Sequence, residues 1–167
     1  MKLLLIRHAK SLWPEGIEDH DRPLGPRGAR DAPAMGAWVA DRGLAPLFVL
    51  CSSSLRTRMT LGAMVPHWPE APRVAFSRAV FEEDDEAGQM ELLRRHGEGE
   101  SVALVGHSPS IGALAALLAR EAPAHGRWGD FPTCAVAALT FEGPLEPGRG
   151  EVTHFAVPAD IGLKNGE

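Results

Sequence analysis

The chain reads as an α/β protein, a three-layer α/β/α sandwich around a largely parallel central sheet, and three observations carry that reading. Short apolar runs without alternation recur at residues 2–6, 47–51 and 101–105, the pattern of strands buried on both faces. The second and third lead directly into segments with helical spacing or capping residues. A final pair of runs, at 134–141 and 152–157, alternates more and reads as a hairpin. Strands that alternate with helices give a sheet covered on both sides.

Each element has its local reason. Lys2-Leu3-Leu4-Leu5-Ile6 is a strand that ends abruptly in Arg7-His8. Residues 14–26, rich in Pro, Gly and acid, form a loop, and a helix follows over 27–42 with Pro26 near its start and Gly43 just past its end. Pro33 weakens or kinks that helix. After the strand Leu47-Phe48-Val49-Leu50-Cys51, one of Ser52, Ser53 and Ser54 caps a helix over 55–65. Residues 74–80 read as another strand. The acidic run from Glu82 to Glu86 then opens a helix ending at Gly97, its charge polarity matched to the helix dipole by Arg94 and Arg95 in the last turn. Ser101-Val102-Ala103-Leu104-Val105 is the third buried strand, and Ile111, Leu114, Ala115 and Leu118 make one face of the helix after it. The loop over 143–150 joins the closing hairpin.

At 167 residues the length suggests one domain spanning 1–167, and 44% hydrophobic with 23% charged residues indicates a folded chain, not a disordered one. With 17 Lys and Arg against 22 Asp and Glu, the net charge of -5 disfavours nucleic acid and anionic membranes as partners, so any anion site is local. The longest apolar stretch, around 111–119, is half a bilayer span. Two cysteines, Cys51 and Cys134, lie within apolar runs, and no secretory leader pattern opens the sequence; the expected compartment is the cytoplasm.

In open α/β sheets ligands bind outside the carboxyl ends of the strands. Arg7-His8, Arg56 and His107 each follow such an end. Singly, each has an ordinary structural explanation; together, two guanidiniums and two imidazoles beside helix N-termini describe a pocket for a tetrahedral dianion such as phosphate. A neutral imidazole there is a competent nucleophile toward phosphorus, which points to phosphoryl transfer through histidine. Neither a Cys/His ligand cluster nor a Gly-x-x-x-x-Gly-Lys-Ser/Thr loop is present in the sequence, so no metal or other cofactor is expected.

The run Leu4-Leu5-Ile6-Arg7-His8-Ala9-Lys10-Ser11, then Asp21-Arg22-Pro23-Leu24 before Gly28, Ser52-Ser53 with Arg56 and Thr60, Val105-Gly106-His107-Ser108-Pro109 and Phe131-Pro132-Thr133-Cys134-Ala135 together resemble the histidine phosphatase superfamily. More narrowly they are similar to the small SixA-like phosphohistidine phosphatases of bacteria. The resemblance implies a phosphoglycerate mutase-like fold and a metal-independent phosphatase, with His8 as the phosphorylated nucleophile and Arg7, Arg56 and His107 holding the phosphoryl group. It also implies that Arg22 lies near the pocket mouth, a position where a solvated loop charge is the alternative. Glu82, with Glu83 beside it, is the nearest match to the general acid of that family, and the same run equally fits a solvated helix start. Ala9 departs from the commoner Arg-His-Gly.

The expected partner is a phosphorylated substrate, in the first place phosphohistidine in a protein and in the second a small phosphomonoester. Gly106-His107-Ser108-Pro109-Ser110 also resembles a Gly-x-Ser-x-Gly nucleophile elbow, which would make a serine esterase with Ser108 as nucleophile. Ser110 stands in place of the second glycine of that elbow, and Arg7, His8 and Arg56 would then have no role. A phosphate-binding module without turnover and a mutase are the remaining readings; the chain is short for the insertions that enclose a mutase substrate.

Overall fold

The computed structural model describes residues 1–97 and 99–164. Among these, six strands form one sheet: β1 (Lys2–Arg7), β2 (Phe48–Ser52), β3 (Arg73–Ser77), β4 (Ser101–Gly106), β5 (Val136–Thr140) and β6 (Glu151–Ala156), in the order β3-β2-β4-β1-β5-β6. The pairs β1/β4, β2/β4 and β2/β3 are parallel, whereas β5 runs antiparallel to both β1 and β6. The helices are α1 (Pro26–Asp41), α2 (Leu55–Met64), α3 (Arg78–Glu82), α4 (Glu86–His96) and α5 (Ser110–Leu118).

Because successive strand side chains point to opposite faces, the unbroken apolar strands feed two cores. Leu3, Leu5, Leu50 and Leu104 pack on one face with α4 and α5, through Leu93, Ile111, Leu114 and Leu118. Leu4, Ile6, Val49 and Val105 pack on the other with α1 and α2, through Met35, Val39, Leu61 and Met64. This is the expected three-layer sandwich. α1 runs unbroken through Pro33, since the buried stripe Ala32, Met35 and Val39 outweighs one missing backbone donor.

Four local expectations need correction. The strand over 74–80 stops at Ser77, and Arg78–Glu82 is the helix α3. Ser77 is paired with Ser52, the last residue of β2, so no ladder remains for the chain to follow, and Val80 turns into the core instead. Ser54 occupies the N-cap of α2 without making the cap hydrogen bond; its hydroxyl meets that of Thr57 at 2.7 Å. The acidic run is divided: Glu82 ends α3, and α4 begins only at Glu86, where Asp85 accepts from the Gly88 amide at 2.7 Å. Cys134 lies outside β5, in a segment where Phe131 and Cys134 have φ of 40° and 63°.

Candidate active site

The parallel strands β1, β2 and β4 end side by side, with Arg7 level with Gly106 and Cys51 with Val105, so the residues that follow them share one crevice. The backbone after β1 is held on several sides. The His8 amide donates to the Gly106 carbonyl at 3.1 Å, the His8 carbonyl accepts from Cys134, and the Ala9 amide donates to Thr60 Oγ1 at 3.0 Å. Thr60 in turn donates to the Arg56 carbonyl, which ties β1 to the first turns of α2.

His8 is buried, and its Nδ1 lies 2.7 Å from the Ala9 carbonyl. A carbonyl only accepts, so Nδ1 carries the proton and Nε2 keeps its lone pair. The imidazole pKa is pushed down to about 4, chiefly by burial and further by Arg56, Arg7 and Arg22, with the Ala9 hydrogen bond opposing. His107 stands 5.2 Å away between ring centroids. Its Nδ1 faces Arg56 Nη2 at 3.3 Å, a group that only donates, so its proton is on Nε2 and is given to Ser52 Oγ at 2.7 Å. Burial first, then His8 and Arg56, lower its pKa to about 3. Both rings are therefore neutral at pH 7.

Arg7 donates from Nη1 to the Phe131 carbonyl at 3.0 Å. Burial lowers the pKa of Arg7 and Arg56 alike, and the buried Nε of each has no hydrogen-bond acceptor among the described residues. Arg22 is only 5% exposed, which excludes its alternative as a solvated loop charge. It donates to the Leu12 carbonyl at 3.0 Å, to Ser11 Oγ and to Asp19 Oδ1 at 2.9 Å, and its guanidinium lies 3.2 Å from the centroid of the exposed Trp13 ring.

Several residues that the sequence reading did not single out join this cluster. Asp19 bridges two of the arginines, since Oδ2 accepts from Arg56 Nη2 at 3.1 Å and its own carbonyl accepts from Arg56 Nη1. His20 meets Ser53 Oγ at 2.8 Å, and Phe81 stands edge-on to both His20 and His107. A visible signal for Asp19 was its spacing, three residues before an arginine in a loop, which allows a local ion pair. Glu82 is not brought to the cluster: it is exposed and pairs with Arg78 at 2.8 Å. Glu83 folds back against Gly88. Ser108 is exposed with no hydrogen-bond partner among the described residues, so no base activates it, and the Ser110 hydroxyl donates to the His107 carbonyl.

The family model of the histidine phosphatase superfamily (branch 1) matches residues 3–75. An uncharacterised protein of Mycobacterium tuberculosis is 38% identical over 166 residues, covering 92% of this chain and 99% of its own. Among solved structures, a provisionally named phosphohistidine phosphatase SixA from Agrobacterium tumefaciens is similar with a TM-score of 0.78 at 25% identity, over 94% of this chain and 97% of its own. One from Nakamurella multipartitia, named with the same reserve, gives 0.75 at 28% identity, over 94% and 95%. With strand-end arginines and histidines meeting in one crevice of this sheet, the chain belongs to the histidine phosphatase superfamily and is a phosphatase.

Proposed function

We propose that the protein hydrolyses phosphohistidine carried on another protein, by passing the phosphoryl group to His8 and then to water. The observation that carries this reading is the tautomer of His8: the Ala9 carbonyl fixes the proton on Nδ1, which leaves the Nε2 lone pair available in a neutral ring surrounded by guanidiniums. Arg7, Arg22 and Arg56 set against Asp19, with both imidazoles neutral, leave two net positive charges, matched to a phosphate dianion without a metal ion. His107, held in place by the buried Ser52 hydroxyl, completes the set. The similarity to proteins named as phosphohistidine phosphatases supports the substrate class. A phosphoramidate also suits a pocket whose proposed acid, Glu82, is engaged by Arg78, because imidazole leaves as a neutral molecule once protonated. The two free, buried cysteines agree with a reducing, cytoplasmic setting.

The test is rapid quench of the purified protein with a labelled phosphohistidine peptide. A phosphoenzyme that is acid-labile, base-stable and absent from His8→Ala is expected, with a rate unchanged by exhaustive EDTA treatment. An acid-stable adduct would move the nucleophile to a hydroxyl, and a rate restored only by added magnesium would overturn the charge balance above.

A further inference from the structure

We infer that Asp19 is the carboxylate that orients water onto phosphorylated His8, and thus governs the second half of the reaction and not the first. The inference rests on the reading of His8 as the phosphoryl acceptor. Asp19 begins a short 3-10 turn, Asp19–Asp21, that the loop before α1 folds down onto α2. Each of its carboxylate oxygens accepts from one arginine of the pocket, Arg22 at 2.9 Å and Arg56 at 3.1 Å, and each keeps a free lone pair.

Depth separates it from the nucleophile. His8 is buried at the floor, whereas the Asp19 side chain is half exposed at the mouth. In-line displacement brings the entering and leaving groups to the side of phosphorus away from His8 Nε2, which is the side open to solvent. Of the other acidic side chains nearby, Glu82 is held by Arg78, Glu83 folds against Gly88 and Asp21 faces His20 in solvent. Burial of Asp19 opposes ionisation, but Arg56 and Arg22 outweigh it and hold the carboxyl below its usual range, so it is in the proton-accepting form at neutral pH.

In the step assigned to Asp19, the oxygen of water forms its bond to phosphorus while the P–Nε2 bond breaks and its electron pair returns to the His8 ring. The proton lost by water goes to the Asp19 carboxylate and then to solvent. Such a loose transition state asks more for orientation than for a strong base. The first step receives no proton from Asp19, which favours substrates whose leaving group departs neutral or weakly basic, a protonated phosphoramidate above an alkyl phosphate.

The experiment is stopped-flow and rapid quench with p-nitrophenyl phosphate on wild type, Asp19→Asn and Asp19→Glu, with melting curves to establish folding. Asp19→Asn, which also removes one negative charge beside Arg22 and Arg56, is expected to release a burst of nitrophenol equal to the enzyme, with the rate of that burst altered far less than the phase after it. It then turns over about 10- to 100-fold more slowly while acid-labile phosphoenzyme accumulates. Asp19→Glu, which keeps the charge and moves it by one methylene, is expected to recover part of the second phase. An adduct in wild type with both phases slowed equally in Asp19→Asn would make Asp19 a holder of the arginines and overturn this inference alone. Unchanged turnover in both variants would do the same. Turnover with no acid-labile adduct in wild type or either variant would overturn the His8 reading itself, and this one with it.

Discussion

Arg56 is the residue on which the pocket converges: its two terminal nitrogens meet Asp19 and His107, and its carbonyl receives Thr60. A lysine would supply the charge but not the planar fork, so Arg56→Lys is expected to lower turnover by about 10²-fold, measured as the steady-state rate on a phosphohistidine peptide. Glu82→Gln breaks only an exposed i,i+4 pair with Arg78, and its rate is expected to stay within about twofold of wild type on every substrate. A selective loss on alkyl phosphates would return Glu82 to the role of acid. Arg7, His8, Arg56 and His107 were legible in the sequence because the end of a buried strand fixes where the next residues go, whatever the loops do. Asp19 and His20 were not, because their positions depend on how a loop of Pro, Gly and acid folds back across α2, and Phe81 was not, because it is carried by α3, where the sequence reads as a strand running to Val80.

At the scale of elements, close approach limits what the helices can carry. A Cβ on Gly36 of α1 would come within 2.6 Å of Met64 Cα on α2, and one on Gly28 would collide with the Lys10 carbonyl, two residues beyond His8. Both alanine variants are expected to lose about 1–3 kcal/mol in denaturant unfolding. Only Gly28→Ala, which presses on the chain that carries His8, is expected to lose turnover as well at a temperature where both variants are folded; equal activity in the two would detach α1 from the site. The buried strands and the main helices could be read from periodicity, whereas residues 74–80 could not. Val74 and Phe76 are exposed on the edge strand β3 while Val80 is buried, and the same apolar letters served a strand and then a helix. What decided between them was the end of the neighbouring strand, a fact about tertiary structure.

For the whole molecule, the neutral histidines link stability to acidity. The pKa values of His8 and His107 fall from 6.5 to about 4 and about 3 on folding, so their contribution is present in full above pH 6.5 and is lost as the pH falls toward 4 and then 3. The loss is on the order of 3 kcal/mol for His8 alone. Melting temperatures followed from pH 7 to pH 4 are expected to fall more steeply in wild type than in His107→Asn; parallel slopes would mean that the rings are not held neutral. The sheet order has a separate consequence for how the site comes apart. β1 is hydrogen-bonded along its length to β4 on one side and to β5 on the other, while the loop that carries Asp19 is attached by a short bridge at Ser11 and Leu24, by Arg22 and Arg56, and by side-chain contacts of His20 with Ser53 and Phe81. Amide hydrogens of β1 should therefore exchange with solvent deuterium only through global unfolding, and those of residues 13–21 through a local opening of far lower free energy. The floor of the pocket then outlasts its mouth: the protein can lose and regain the Asp19 contact many times within the lifetime of one folded molecule, with His8 held in place throughout.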